Sequence, residues 1–206
     1  MTNDAPLRSM SLEKDVDIVS HDIAYQGYFR LEKYKVRFKL FEGGWSHICD
    51  REIFERGSAV AVLPYDPVQD KVILIEQFRM GALKDQKSPW LLETVAGVID
   101  TDETIEEVAK RETKEEAHLN IQKLVPICDY WSSPGSCTEQ VHLFCGIVDS
   151  TQAGDICGLE DECENIRVHV IDRQEAYAFI QSGMVNQPPA IIALQWLMLL
   201  KNTETR

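Results

Sequence analysis

Apolar and polar residues alternate along "VDIVSHDIAYQGYFRLEKYKVRFKL", residues 16–40, with one interruption at Gly27. A period of two puts every second side chain on the same face of a strand, so the stretch predicts two antiparallel strands. "EGG" (42–44) marks a turn, and "WSHICDREIFER" (45–56) predicts a third strand. This opening sheet has one apolar face and no helix of its own. Cover has to come from the rest of the chain or from another chain.

From Gly57 the pattern changes. "SAVAVLPYD" and "KVILIEQFRM" are dense in apolar and β-branched residues, as buried strands are, and "WLLETVAGVID" predicts one more strand. A helical stretch follows from 104, then strands near 121–130 and 137–149, an acidic loop at 150–165 with two glycines, and the strand "IRVHVID" (166–172). Helices over about 173–182 and 188–201 close the chain. The expected fold class is α/β, with helices packed on a central mixed β-sheet. Two parts are expected: an N-terminal antiparallel sheet, 1–56, and a larger domain, 57–206.

Thr104 and Glu107 have the spacing of a capping box, which starts a helix at 104. Wound at about 100° per residue from Ile105, Val108 falls near 300° and Ala109 near 40°, defining the apolar arc. Glu112 lands near 340° and Glu116 near 20°, in the middle of that arc, while Lys110 and Lys114 face the other way. Carboxylates on the buried stripe repel one another and are costly to desolvate. A hard divalent cation between them relieves both, and Mg²⁺ suits carboxylate and phosphate oxygens. Arg111 or a shared proton are the other remedies the sequence offers.

Composition narrows the function. The net charge is −13 over 206 residues and no basic patch breaks it, which excludes nucleic acid as an expected partner. An anionic substrate would need cations between itself and the acids. The six cysteines form no C-x-x-C pair and read as thiols in a reducing compartment. The polar N-terminus has no signal-peptide pattern. "AIIALQWLMLL" (190–200) falls short of the roughly 20 residues that span a bilayer. The expectation is a cytoplasmic protein without a membrane partner.

Residues 97–119 resemble the Nudix box, G-x5-E-x7-R-E-U-x-E-E-x-G-U with U a bulky apolar residue. Gly97, Glu103, Arg111, Glu112, Glu115, Glu116 and Leu119 match, while Thr113 replaces an apolar residue and His118 the second glycine. "REIFERGSAVAVLPYDP", "VILIEQFR", "PWLLETVAG" and "EDECENIRVHV" extend the resemblance to the bacterial ADP-ribose pyrophosphatases of this family over nearly the whole chain. Pro134, about sixteen residues past His118, matches a proline of that subfamily.

The resemblance implies an enzyme that hydrolyses ADP-ribose to AMP and ribose 5-phosphate with Mg²⁺ (Mn²⁺ as the alternative). It also implies a homodimer whose N-terminal sheets exchange. By position, Glu112, Glu116, Glu164 and the carbonyl of Ala96 would hold the metal. Glu115 is a weaker candidate, Glu103 and Arg111 would brace the loop and helix, and Gly97 would let the backbone turn close to metal and phosphates. Glu162 would be the general base, although "LEDECEN" on its own reads as a solvated acidic loop. Tyr28, with Phe29 beside it, would stack on adenine, and Arg51, Glu52 and Arg56 would come from the partner subunit. Arg79 would meet the phosphates, although a lone strand-end arginine otherwise reads as a surface ion pair. Val98 would touch base or ribose, Ser133, Pro134 and Gly135 would shape the terminal ribose loop, and Glu139 would accept ribose hydroxyls. The rival readings are a Nudix hydrolase for another nucleoside diphosphate-X, such as a nucleotide sugar, and a non-catalytic ADP-ribose-binding module.

Overall fold

The computed structural model describes residues 9–85, 87–99 and 102–204. They fall into two compact units: the chain up to Arg56 together with Ser133–Glu139, and Gly57–Ser132 together with the chain from Gln140 onward. Segment 133–139, expected in the second part, joins the first because the Phe54 N–H donates to Ser136 O and the Thr138 N–H to Phe54 O.

In the first unit a short helix, α1 (Leu12–Asp15), leads into β1 (Val16–Gln26), β2 (Arg30–Phe38) and β3 (Cys49–Glu55). The three strands form one antiparallel sheet in the order β1-β2-β3. The third strand starts later than its sequence pattern suggests. Trp45 makes only an isolated bridge to Lys39 before the chain enters β3. Ile18, Val19, Ile23, Tyr25, Phe38 and Phe54 of this sheet are exposed. The alternation that predicted the strands therefore leaves apolar side chains uncovered.

The second unit is an eight-stranded mixed sheet with a core on each face. Its strands are β4 (Ala59–Asp66), β5 (Lys71–Phe78), β6 (Trp90–Glu93), β7 (Val95–Val98), β8 (Lys123–Trp131), β9 (Gln140–Ile147), β10 (Ile156–Cys157) and β11 (Ile166–Asp172). The helices are α2 (Ile105–Ala117), α3 (Arg173–Ser182) and α4 (Pro188–Glu204). Alternate residues of β4 and β5 supply the two cores. Val60, Val62, Ile73 and Ile75 pack with Val108, Ala109 and Ala117 of α2, and Ala61, Leu63, Val72 and Leu74 pack with Ala193, Leu194 and Leu197 of α4. Every residue of β4 is buried, as a strand covered on both faces requires.

The sheet forks. β4 and β5 pair only at Tyr65–Val72 and Asp66–Lys71, beside their connecting turn. Further along, β7 pairs with β4 from Ala59 to Val62, and β6 pairs with β5 from Ile75 to Phe78. The stretch expected to be one strand is thus two, divided at the fully buried Thr94, and fills the gap between the diverging strands. The loop 150–165 likewise contains β10, paired with β11, and a 3₁₀ turn at Glu160–Glu162.

Candidate active site

Helix α2 starts as its sequence predicts. The Thr104 hydroxyl accepts from the Glu107 N–H, and Glu107 accepts from the Thr104 N–H. This fixed start turns Val108, Ala109, Thr113, Glu116 and Ala117 inward. Glu116 is only 2% exposed, and its carboxylate accepts a 3.0 Å hydrogen bond from the Ala96 N–H of β7. Glu112 is half-buried one turn earlier and accepts a 2.7 Å bond from Arg111. The same guanidinium takes two bonds to Glu103, at 2.9 and 2.8 Å, and one to Glu115 at 3.1 Å. Arg111 thus ties the helix to the loop before it.

The two inward acids are electrostatically strained. Burial, with Glu115 and Glu164 adding to it, outweighs Arg111 and pushes Glu112 up to about 7. Burial, together with the charges of Glu112 and Glu164, pushes Glu116 up to about 8 against the Ala96 N–H and Arg79. Glu164, just past the 3₁₀ turn, is raised in its turn by burial and then by Glu162, while the Leu159 N–H opposes. Arg79, Glu112, Glu115, Glu116, Glu162 and Glu164 are electrostatically linked, and the acidic loop is held against α2 by the bond from the Gly158 N–H to Glu115 O.

This acidic cluster has the chemistry of a cation site. It holds more carboxylates than Arg79 and Arg111 can neutralise, and carboxylate oxygens are the donors Mg²⁺ and Mn²⁺ take. Among the described residues no three such side chains already clasp a common point. Glu112 is turned to Arg111 and Glu116 to the Ala96 N–H.

The structure shows what the bare backbone at Gly97 makes room for. Its φ is not positive, so no unusual turn requires glycine there. A Cβ at Gly97 would instead fall on the Glu112 side chain. The missing side chain is the room Glu112 occupies. The two departures from the box are also explained. Thr113 is fully buried but spends its hydroxyl on the Ala109 carbonyl at 2.7 Å, which makes it an acceptable core residue. His118 takes the left-handed helix-ending position, φ 57°, where glycine has no steric cost.

Arg79 follows β5 and donates from Nε to Glu93 at 2.8 Å. The ion pair that a lone strand-end arginine suggests is therefore present, and Glu93, only 3% exposed, is a residue that sequence reasoning missed. Val98 ends β7 and is partly exposed. Glu162 is exposed at the end of its 3₁₀ turn.

The remaining expected residues lie in the first unit. Tyr28 and Phe29 stand in the β1–β2 turn, not in a strand, because the Gly27 N–H closes on Phe29 O. Tyr28 is 90% exposed and meets Phe29 edge-on, and Phe29 meets Phe54. Arg56 lies over the Phe29 ring and pairs with Glu139 at 2.9 Å. Its buried Nε has no partner among the described residues. Arg51 bonds the Asp50 carbonyl, and Glu52 pairs with Lys33 in the open. Ser133, Pro134 and Gly135 form an exposed turn, closed by bonds from the Ser136 and Cys137 N–H groups to Ser133 O.

A forked mixed sheet carrying an inward-facing acid cluster on one helix defines the class. The chain belongs to the NUDIX domain family, whose match spans residues 55–190. It is 46% identical over 187 residues to the ADP-ribose pyrophosphatase of Escherichia coli (strain K12), covering 91% of this chain and 90% of that one. The ADP-ribose pyrophosphatase of Haemophilus influenzae is 43% identical over 190 residues, covering 91% and 88% of the two chains. The GDP-mannose pyrophosphatase of Yersinia pestis (strain Pestoides F) is 31% identical over 186 residues, covering 89% and 92%. A solved ADP compounds hydrolase has the same fold, with a TM-score of 0.71 at 20% identity over 95% of this chain and 98% of that one.

Proposed function

We propose that this protein hydrolyses the diphosphate of ADP-ribose, with water adding to a phosphorus to release AMP and ribose 5-phosphate. The observation that carries the reading is the buried acid cluster of α2, in a chain 46% identical to an ADP-ribose pyrophosphatase over nearly its full length. The greater identity to ADP-ribose pyrophosphatases than to a GDP-mannose pyrophosphatase favours ADP-ribose over a nucleotide sugar. A pure binding module has no need of strained, inward-facing acids.

Glu112, Glu116, Glu164 and the Ala96 carbonyl would hold Mg²⁺, or Mn²⁺ in its place. Bound there, the ion supplies charge neutralisation for the diphosphate and a more acidic water. Glu162 takes the proton of the attacking water on a carboxylate oxygen, a role suited to an exposed acid with no side-chain hydrogen bond among the described residues. Arg79 orients the phosphates by direct hydrogen bonds. The exposed apolar strands of the first unit suit a homodimer, in which Arg51, Glu52 and Arg56 serve the partner's acid cluster, while Tyr28, with Phe29 beside it, stacks on adenine. Ser133, Pro134, Gly135 and Glu139 receive the terminal ribose, and Val98 meets the base or the ribose beside it. No described helix is long and apolar enough to cross a membrane. We place the protein in the cytoplasm, whose reducing conditions keep thiols such as its six free cysteines as thiols.

The test is product analysis. Incubation of ADP-ribose with protein and Mg²⁺ should yield AMP and ribose 5-phosphate in equal amounts, faster than GDP-mannose is cleaved and not at all with a chelator. Preferential cleavage of GDP-mannose would overturn the substrate assignment.

A further inference from the structure

Among the described residues, Glu93 is the buried carboxylate beside the acid cluster to which neither the sequence nor the proposed chemistry gives a task. It sits opposite Ile75 in the β5–β6 ladder. Ile73 and Ile75 point to the α2 face. Strand alternation then puts Gln77, Arg79 and Glu93 on that same face. Glu93 Oε2 receives Arg79 Nε at 2.8 Å and lies 3.5 Å from Gln77 Nε2. No other side-chain bond of Arg79 forms among the described residues, which leaves its two terminal nitrogens available. Arg79 is also near enough to Glu116 and Glu164 to favour their ionised forms.

We infer that Glu93 is a positioning residue: it clamps Arg79 through Nε so that the terminal nitrogens of the guanidinium are presented to the substrate's diphosphate. An arginine at the end of a strand loses side-chain entropy when it is ordered. A buried carboxylate that orders it beforehand removes that cost from substrate binding. The clamp also sets Arg79 against Glu93, so that it is not drawn into the larger negative cluster of Glu116 and Glu164. This inference rests on the ADP-ribose reading for its substrate.

The experiment is a double-mutant cycle on kcat/KM with ADP-ribose and Mg²⁺. Glu93→Gln should lower kcat/KM by about 10- to 100-fold. In an Arg79→Ala background the same change should cost less than about threefold, because the clamped group is gone. An undiminished loss in that background would mean that Glu93 acts on the fold at large, and the inference falls. Glu93→Asp keeps the charge, withdraws it by one methylene and decides the matter if Glu93→Gln does not fold. It too should lose activity, and a folded Glu93→Asp with wild-type kcat/KM overturns the clamp. Should the wild type cleave GDP-mannose and not ADP-ribose, the substrate reading fails alone, and the same cycle run on GDP-mannose still decides Glu93.

Discussion

Raising the pH in the absence of divalent cations should destabilise this protein. Glu112 sits at about 7 and Glu116 at about 8, against an ordinary value of 4.5. Between those values the folded chain keeps protons that the unfolded chain has released, so stability falls as pH rises. The stabilising contribution is complete below about 4.5 and is lost by the time pH passes through 7 and then 8. The gap for Glu116 alone corresponds to about 5 kcal/mol at about 1.4 kcal/mol per pH unit. The two acids titrate as a coupled pair and the site relaxes when charged, so a net loss on the order of 3 kcal/mol is the realistic expectation. The assay is urea unfolding with a chelator at about pH 5 and about pH 8.5, for wild type and Glu116→Gln. Wild type should lose markedly more stability over that range than the variant, which controls for general repulsion in a chain of net charge −13. Added Mg²⁺ should flatten the wild-type slope, since a cation replaces the protons. Parallel pH profiles for the two proteins would refute the argument that these carboxyls are strained by burial.

Glu162→Gln should cut kcat by about 10²–10⁴-fold with little change in Mg²⁺ requirement, whereas Glu164→Gln should raise the Mg²⁺ concentration needed for half-maximal rate. A rate titration against Mg²⁺ separates the two. Gly97→Ala should abolish most activity while costing only about 1–3 kcal/mol of stability, because the added methyl displaces a side chain that can swing aside. Equal turnover with an unshifted Glu112 in a crystal structure would contradict it. His118→Gly should stabilise the fold by about 1 kcal/mol, read as a higher Tm, because it relieves a left-handed residue. Co-expressed Arg56→Ala and Glu116→Gln chains, each inactive alone, should recover up to about a quarter of wild-type activity if a homodimer shares its sites; no recovery in a verified mixed dimer would count against subunit sharing.

The helix was the most legible part of the molecule. A capping box and the period of 3.6 depend only on local sequence, so the inward turn of Glu112 and Glu116 could be read without any knowledge of the sheet. The fork was not legible. "WLLETVAGVID" carries one continuous apolar signal, and its division at Thr94 is imposed by the divergence of β4 and β5, two strands distant from it in the chain. Tyr28 and Phe29 were misplaced for a related reason: aromatics favour strands, but the Gly27–Phe29 bond makes a turn of them. Glu93 was invisible because a single acid in an apolar run has no spacing to betray its partner, and Arg79 meets it only through the β5–β6 pairing.

The fork also governs which changes of chain length this protein can absorb. β6 is in register with β5 and β7 with β4, and Thr94 is the sole residue between them. An inserted or deleted residue at this joint has no slack to enter. It would have to slip one of the two ladders, and a slip by one position turns every side chain of that strand to the opposite face. On one arm that would carry Glu93 away from Arg79; on the other it would carry Ala96 away from Glu116. Substitutions between Trp90 and Val98 cost what their packing costs, but a gap there would dismantle the site from both sides. Aligned relatives that keep this chemistry should accordingly vary in letters along the stretch and not in its length.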